Sequence, residues 1–214
     1  QAPRHPEILR LTGMIQFQRG HFGAATDTLL QALAQRADDP MIYNALGGAF
    51  ERIGDVGRSR EALRRACELG PDLAPCWFNY ARRLFADGDN EAVVPVLQRV
   101  VALQPGHINA RTMLANILRS DGRFAEAEVQ LRGIIEVAPA RAGSAWWGLS
   151  MLKPMPLTPR DIAAMQRILQ GVDVAETDRI AIGFALAMAQ EHAGDYAAAF
   201  AQMRSAHALA ARTE

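Results

Sequence analysis

Two cysteines, Cys67 and Cys76, are all that the 214 residues contain. A disulfide framework needs more, and neither cysteine has His or Cys neighbours at metal-ligand spacing. Both read as buried, reduced thiols in a reducing compartment, with the cytoplasm as the expectation. Long apolar runs are also missing. None approaches the ~18 residues of a membrane-spanning helix, so no membrane partner is expected. QAPRHPEILR at the start has no apolar signal-peptide stretch. Charge of one sign is missing too, with 23 basic and 23 acidic residues. That balance speaks against a nucleic-acid partner and against an acidic tail. Lysine is reduced to Lys153, so nearly all positive charge is arginine.

Chemistry-bearing motifs are absent as well. No glycine-rich phosphate loop, no zinc spacing and no Gly-x-Ser-x-Gly elbow occurs. The expectation is a chain with no catalytic residue, no metal and no cofactor. His5, His21, His107, His192 and His207 form no pair with a carboxylate or Cys that suggests a site, and they read as exposed or packing residues.

What the sequence does have is a period. Gly20, Gly54, Gly88 and Gly122 follow one another at intervals of 34 residues. Seven residues before each stands a small side chain: Gly13, Gly47, Ala81, Ala115. Five after each stands Ala25, Ser59, Val93 or Ala127, and seven further Ala32, Ala66, Val100 or Ile134. Pro71, Pro105 and Pro139 close three copies, and Pro40 is read as closing the first after a short insertion. A glycine permits the left-handed turn that ends a helix, and small residues let two helices approach. The frame therefore predicts helical hairpins: 6–18 with 22–35, 40–52 with 56–69, 74–86 with 90–103, and 108–120 with 124–137. One hairpin cannot bury its apolar face alone, so neighbours must stack.

This frame resembles the tetratricopeptide repeat. Tyr43, Leu46, Gly47, Phe50, Gly54, Leu63, Ala66 and Pro71 carry it in the second copy, and Trp77, Tyr80, Ala81, Leu84, Gly88, Leu97 and Pro105 in the third. The resemblance implies an all-α, right-handed superhelical solenoid of about twelve helices. Four units are expected at 6–39, 40–73, 74–107 and 108–139, followed by a degenerate fifth at 140–176 and a sixth hairpin at 177–214.

After Pro139 the pattern falters. Pro154, Pro156 and Pro159 cannot continue a helix, so a joint is expected at 153–158. Thr158, Pro159 and Asp161 then read as the start of a helix over 159–170. Thr177 reads as the cap of the next helix, 178–192, and Gly194-Asp195-Tyr196 repeats the turn. Of the adjacent Trp146 and Trp147, one is expected in the core. Trp147, Gly148, Leu149, Asp161, Met165, Phe184, Ala185, Leu186, Gly194, Asp195, Tyr196, Ala199 and Phe200 are similar to the joining region of bacterial tetratricopeptide-repeat sulfotransferases. That family's donor-phosphate loop, of Pro-Arg-Ser-Gly-Thr type, is not in these residues.

The repeat resemblance further implies that first helices line a concave groove. Carried over by register, its inner positions are Arg10, Met14 and Phe17; Asn44, Glu51 and Arg52; Phe78, Asn79, Arg82 and Phe85; Thr112, Asn116 and Arg119. The principal candidates are Arg10, Asn44, Arg52, Phe78, Asn79, Arg82, Phe85, Asn116 and Arg119. Asn can both donate to and accept from a peptide backbone, Arg can fork onto a carboxylate, and Phe supplies apolar pockets. The expected function is a non-catalytic scaffold. It would hold a protein or peptide, with an acidic residue or a free C-terminus, in that groove. The alternative is the docking arm of a sulfotransferase whose catalytic domain lies beyond residue 214. Self-association through the end hairpins is a further expectation.

Overall fold

The computed structural model describes residues 5–213 and contains twelve α-helices, with no strand among the described residues. They are α1 (Pro6–Gln18), α2 (Phe22–Gln35), α3 (Pro40–Arg52), α4 (Val56–Leu69), α5 (Ala74–Ala86), α6 (Asn90–Leu103), α7 (Ile108–Ser120), α8 (Phe124–Val137), α9 (Gly143–Ser150), α10 (Pro159–Gln170), α11 (Glu176–His192) and α12 (Tyr196–Ala210). A single 3-10 turn, Pro139–Arg141, precedes α9. The eight helices predicted from the repeat, and 159–170, fall on the observed bounds. None of the helices is long and apolar enough to cross a membrane, among the described residues.

The repeating glycines turn the chain. Gly20, Gly54, Gly88, Gly122 and Gly194 all have φ between 75° and 84°, a region costly for a residue with a Cβ. Each is followed by an amide that bonds back five residues, as Asp55 N to the Phe50 carbonyl at 2.9 Å. This satisfies carbonyls left open at the helix end. Asp55, Asp89 and Asp195 then cap the second helix with a side-chain oxygen.

The small residues seven positions earlier set how closely the hairpin closes. A Cβ on Gly47 would lie 2.4 Å from Leu63 Cγ, and one on Gly13 would lie 2.6 Å from Leu29 Cγ. The buried Ser59 hydroxyl donates to the Gly47 carbonyl at 2.8 Å.

The chain forms two compact units, 1–105 and 106–214. In the first, α1–α2, α3–α4 and α5–α6 are hairpins; α2 packs on α3, and α4 on α5. Leu29 and Ala32 of α2 meet Ile42, Leu46 and Phe50 of α3 in one core cluster. Ala66 and Cys67 of α4 meet Cys76 of α5 in the next.

In the second unit α7–α8 and α11–α12 are hairpins, and α9 packs on α8 and α11. Asp178 of α11 accepts from the Gly143 amide at 3.0 Å and so caps α9. Arg179 Nη2 donates to the Gly171 carbonyl at 2.7 Å, closing the end of α10. Arg132 ties the proline joint down, donating to the Pro156 carbonyl at 3.1 Å and to Asp161 Oδ1 at 3.1 Å. Thr158 and Asp161 form a reciprocal capping box. Burial would raise the Asp161 carboxyl. The hydrogen bonds from Arg132 and from the Thr158 amide and hydroxyl outweigh it and hold the carboxyl below its usual range.

Two expectations need correction. Pro40 does not close the first copy after an insertion; it opens α3, capped by Asp39. Its ring occupies a position where no N–H is needed, whereas Pro71 and Pro105 lie in the turns before α5 and α7. Thr177 does not cap α11, which begins at Glu176 after Ala175 and lacks a side-chain cap.

Two outcomes are expected. Gly47→Ala should lower the denaturation midpoint, losing about 1–3 kcal/mol through overpacking against Leu63. By contrast, Gly48→Ala, whose Cβ would meet nothing nearer than Phe17 at 3.9 Å, should be neutral or gain up to about 1 kcal/mol of helix propensity. Urea melts of both variants read the difference. A carboxyl depressed in the folded state stabilises above its unfolded pKa, about 3.9, and loses that contribution as pH falls through the folded value. Acidifying from pH 7 to pH 3 should therefore weaken the second unit, and Asp161→Asn should flatten that pH dependence in melts at the two pH values.

Candidate ligand cleft in the first unit

The first helices α1, α3 and α5 lie beside one another in the first unit. Between them opens a cleft of about 760 Å³. Arg10, Met14, Phe17 and Gln18 come from α1, Met41, Asn44, Ala45, Gly48, Glu51 and Arg52 from α3, and Asn79 and Arg82 from α5; Leu29 and Leu63 close the floor. Its size is that of a small-ligand or peptide-segment site.

The centre is an amide pair. Asn79 Nδ2 donates to Asn44 Oδ1 at 2.9 Å, joining α5 to α3. One amide N–H₂ and one amide oxygen remain for a ligand, whichever way the two amides are turned. A peptide unit presents the complementary carbonyl and N–H.

Charge around this pair is unequal. Arg10 is committed to Glu7, forking onto it at 2.5 and 3.0 Å, and touches Met14 Sδ at 3.1 Å. The same hydrogen bond holds the Glu7 carboxyl below its usual range. Glu51 is committed to the buried Arg83 at 3.2 Å, and Arg83 also holds Asp87 at 2.7 Å. Arg52 stacks over the Phe22 ring at 4.5 Å and has no carboxylate partner among the described residues. Arg82 is exposed and likewise has no ion-pair partner there. The cleft therefore offers two arginines that form no ion pair among the described residues.

Of the nine principal candidates, the cleft brings together Arg10, Asn44, Arg52, Asn79 and Arg82. Phe78 is half-buried and Phe85 exposed on α5, and neither lines it. Asn116 and Arg119 are exposed on α7, in the second unit. The sequence reading missed Gly48 and Arg83. A second glycine beside Gly47, in a helix interior where no turn requires it, was the available signal: it leaves open the space that a side chain would fill. Arg83 is told from Arg82 only by the roughly 100° rotation between adjacent helical residues.

Neither cysteine has the character of a nucleophile. Burial pushes the Cys67 thiol up to about 12 and the Cys76 thiol up to about 11, so both are protonated near neutral pH. His5 and His107 accept from the amides of Glu7 and Ala110 at 3.3 and 3.1 Å, and so serve as helix caps. No His/Cys/Asp/Glu group fit to hold a metal occurs among the described residues.

Tetratricopeptide-repeat family models match residues 2–74 and 84–150, together more than half of the chain. Vi polysaccharide export protein VexE of Salmonella typhi is 32% identical over 115 residues, which is 50% of this chain and 17% of that protein. Protein O-mannosyl-transferase TMTC3 of Homo sapiens is 26% identical over 156 residues, 71% of this chain and 17% of that protein. The chain thus spans under a fifth of each relative's length. Among solved structures, MamA is similar with a TM-score of 0.64 at 19% identity, covering 77% of this chain and 90% of that one. The first TPR of Spaghetti (RPAP3), bound to the HSP90 peptide SRMEEVD, gives 0.52 at 18%, covering 55% and 96%. At these identities the likeness is one of fold.

Adjacent arginines should respond differently to truncation. Arg83→Ala takes the guanidinium away from Glu51 and leaves Asp87 only Arg60 at 3.9 Å, and with both carboxylates partly exposed it should cost about 1–3 kcal/mol. Arg82→Ala should stay within about 0.5 kcal/mol. Chemical denaturation of the two variants measures the contrast.

Proposed function

We propose that this chain, built of tetratricopeptide repeats, is a non-catalytic scaffold whose first-unit cleft holds an extended peptide bearing an acidic side chain or a free C-terminal carboxylate. The observation that carries this reading is the Asn44–Asn79 amide pair with Arg52 and Arg82 beside it. The amides engage one peptide unit, and a guanidinium receives the carboxylate as a charge-assisted, bidentate pair. Phe17, Met14 and Met41 supply apolar contact. The reading is supported by the likeness to a repeat domain solved with SRMEEVD, a peptide that carries three acidic side chains.

Labelled SRMEEVD is a suitable first probe. Fluorescence anisotropy should show binding that weakens when its acidic residues are replaced by Ala and its C-terminus is amidated. Arg82→Ala and Arg52→Ala should each weaken binding about 10- to 100-fold, the worth of one charged hydrogen bond. Gly48→Met, which fills the cleft without changing charge, should abolish it. Unchanged affinity in the Arg82→Ala, Asn79→Ala double variant would refute the assignment.

A second reading, that the array is the substrate-docking arm of a longer enzyme, is favoured by one observation: the matched curated relatives extend far beyond the matched segment. The sulfotransferase likeness of 145–210 names one such enzyme class. Sulfonate-transfer assays of the intact gene product, with and without the array, distinguish an arm from a free scaffold.

A further inference from the structure

The charge that the cleft shows to a ligand is set by a residue outside it. Besides Arg10, which Glu7 holds, the charged side chains lining the cleft are Glu51, Arg52 and Arg82. One carboxylate and two guanidiniums in a shared cleft would ordinarily pair. A ligand carboxylate would then find a single arginine. The pairing observed is different. Glu51 Oε1 accepts from Arg83 Nη1 at 3.2 Å. Arg83 does not line the cleft and is 8% exposed. Its Nη2 donates to Asp87 Oδ1 at 2.7 Å, so the guanidinium is anchored outside the cleft and holds Glu51 from there.

Register decides which arginine a released Glu51 would meet. Glu51 and Arg52 are neighbours on α3, and adjacent helical residues do not face each other. Arg52 lies over the Phe22 ring at 4.5 Å. Arg82 stands on α5, which packs beside α3, and lines the same cleft as Glu51. It is the guanidinium open to that carboxylate. Arg83 Nε is buried without a partner, so the fold bears a desolvation cost for keeping an arginine at 83.

We propose that Arg83 is a positioning residue for the cleft: by holding Glu51 it keeps that carboxylate from neutralising Arg82, and so gives the cleft its preference for acidic ligands. The proposal rests on the reading of the cleft as a peptide site. Arg83 acts through Glu51 and does not touch the ligand. Its loss therefore acts on binding as a weakened Arg82 would, although Arg82 is still present.

Fluorescence anisotropy with labelled SRMEEVD, on the wild type, Arg83→Met, Glu51→Gln and the double variant, tests this. Arg83→Met should weaken binding about 3- to 10-fold, the strength of a pair between partly exposed groups. Adding Glu51→Gln should restore affinity to within about twofold of the wild type, a rescue that damaged packing would not allow. Glu51→Gln alone should change affinity by less than about twofold, because that carboxylate is already held. This single variant decides the matter if Arg83→Met loses helicity by circular dichroism. The Arg82 Nε–H resonance reads the same contact with no peptide present. It should move in Arg83→Met and return in the double variant. If the wild type fails to bind SRMEEVD, the peptide reading falls, and the Arg82 resonance still decides the role of Arg83. An Arg82 resonance unmoved in Arg83→Met overturns the proposal. So does a loss of affinity that the double variant does not recover, or a larger gain in Glu51→Gln alone.

Discussion

The first unit depends on how closely the two helices of a hairpin approach. Leu63 lies where a Cβ on residue 47 would be, and Leu29 where one on residue 13 would be. Interiors are packed so densely that the spacing is set by these contacts rather than adjusted around them. Once the two helices are that close, the turn between them must be short, and only a residue free to take positive φ can supply it. The left-handed glycines and the small helical residues are therefore one device with two parts, repeated at fixed distance. The second helix then offers Ala32 or Ala66 to the next hairpin, and the first helices α1, α3 and α5 come to stand side by side.

That arrangement produces the cleft without any residue dedicated to shaping it, except Gly48. Side chains at the inner register positions of α1, α3 and α5 line the open cleft, so they are free to be polar. Two of them, Asn44 and Asn79, satisfy one another only half. Two others, Arg52 and Arg82, form no ion pair among the described residues, the nearby Glu51 being held by Arg83. Nearby arginines with the same chemistry are already engaged: Arg10 by Glu7, Arg83 by Glu51 and Asp87. Ligand chemistry follows from which groups remain available, not from how many arginines there are.

Much of the fold was legible because it is periodic. Gly54 and Gly88 marked their turns through a backbone requirement that few other residues meet, and the helix bounds followed from them. Pro40 misled because proline is welcome both at a helix start and in the turn before it, so its presence alone does not fix its place. Thr177 misled because a capping residue type is only a preference, and α11 starts earlier, with Asp178 capping α9 instead. The five cleft residues that register placed together share consecutive turns of neighbouring first helices. Phe78 and Phe85 share the register and still miss the cleft, since exposure and packing on α5 depend on neighbours that the pattern does not name. The Asn44–Asn79 bond links residues 35 apart, one off the repeat, and comes from the stagger between stacked helices.

The central claim is that the first-unit cleft binds an acidic peptide through its amide pair and its uncommitted arginines. Side-chain amide and guanidinium resonances of labelled protein, followed while SRMEEVD is added, test it most directly. The account predicts that Asn44, Asn79, Arg52 and Arg82 shift together and saturably, while Arg83 and the α7 residues Asn116 and Arg119 do not. Saturable shifts that spare both asparagines, or that centre on the second unit, would contradict it.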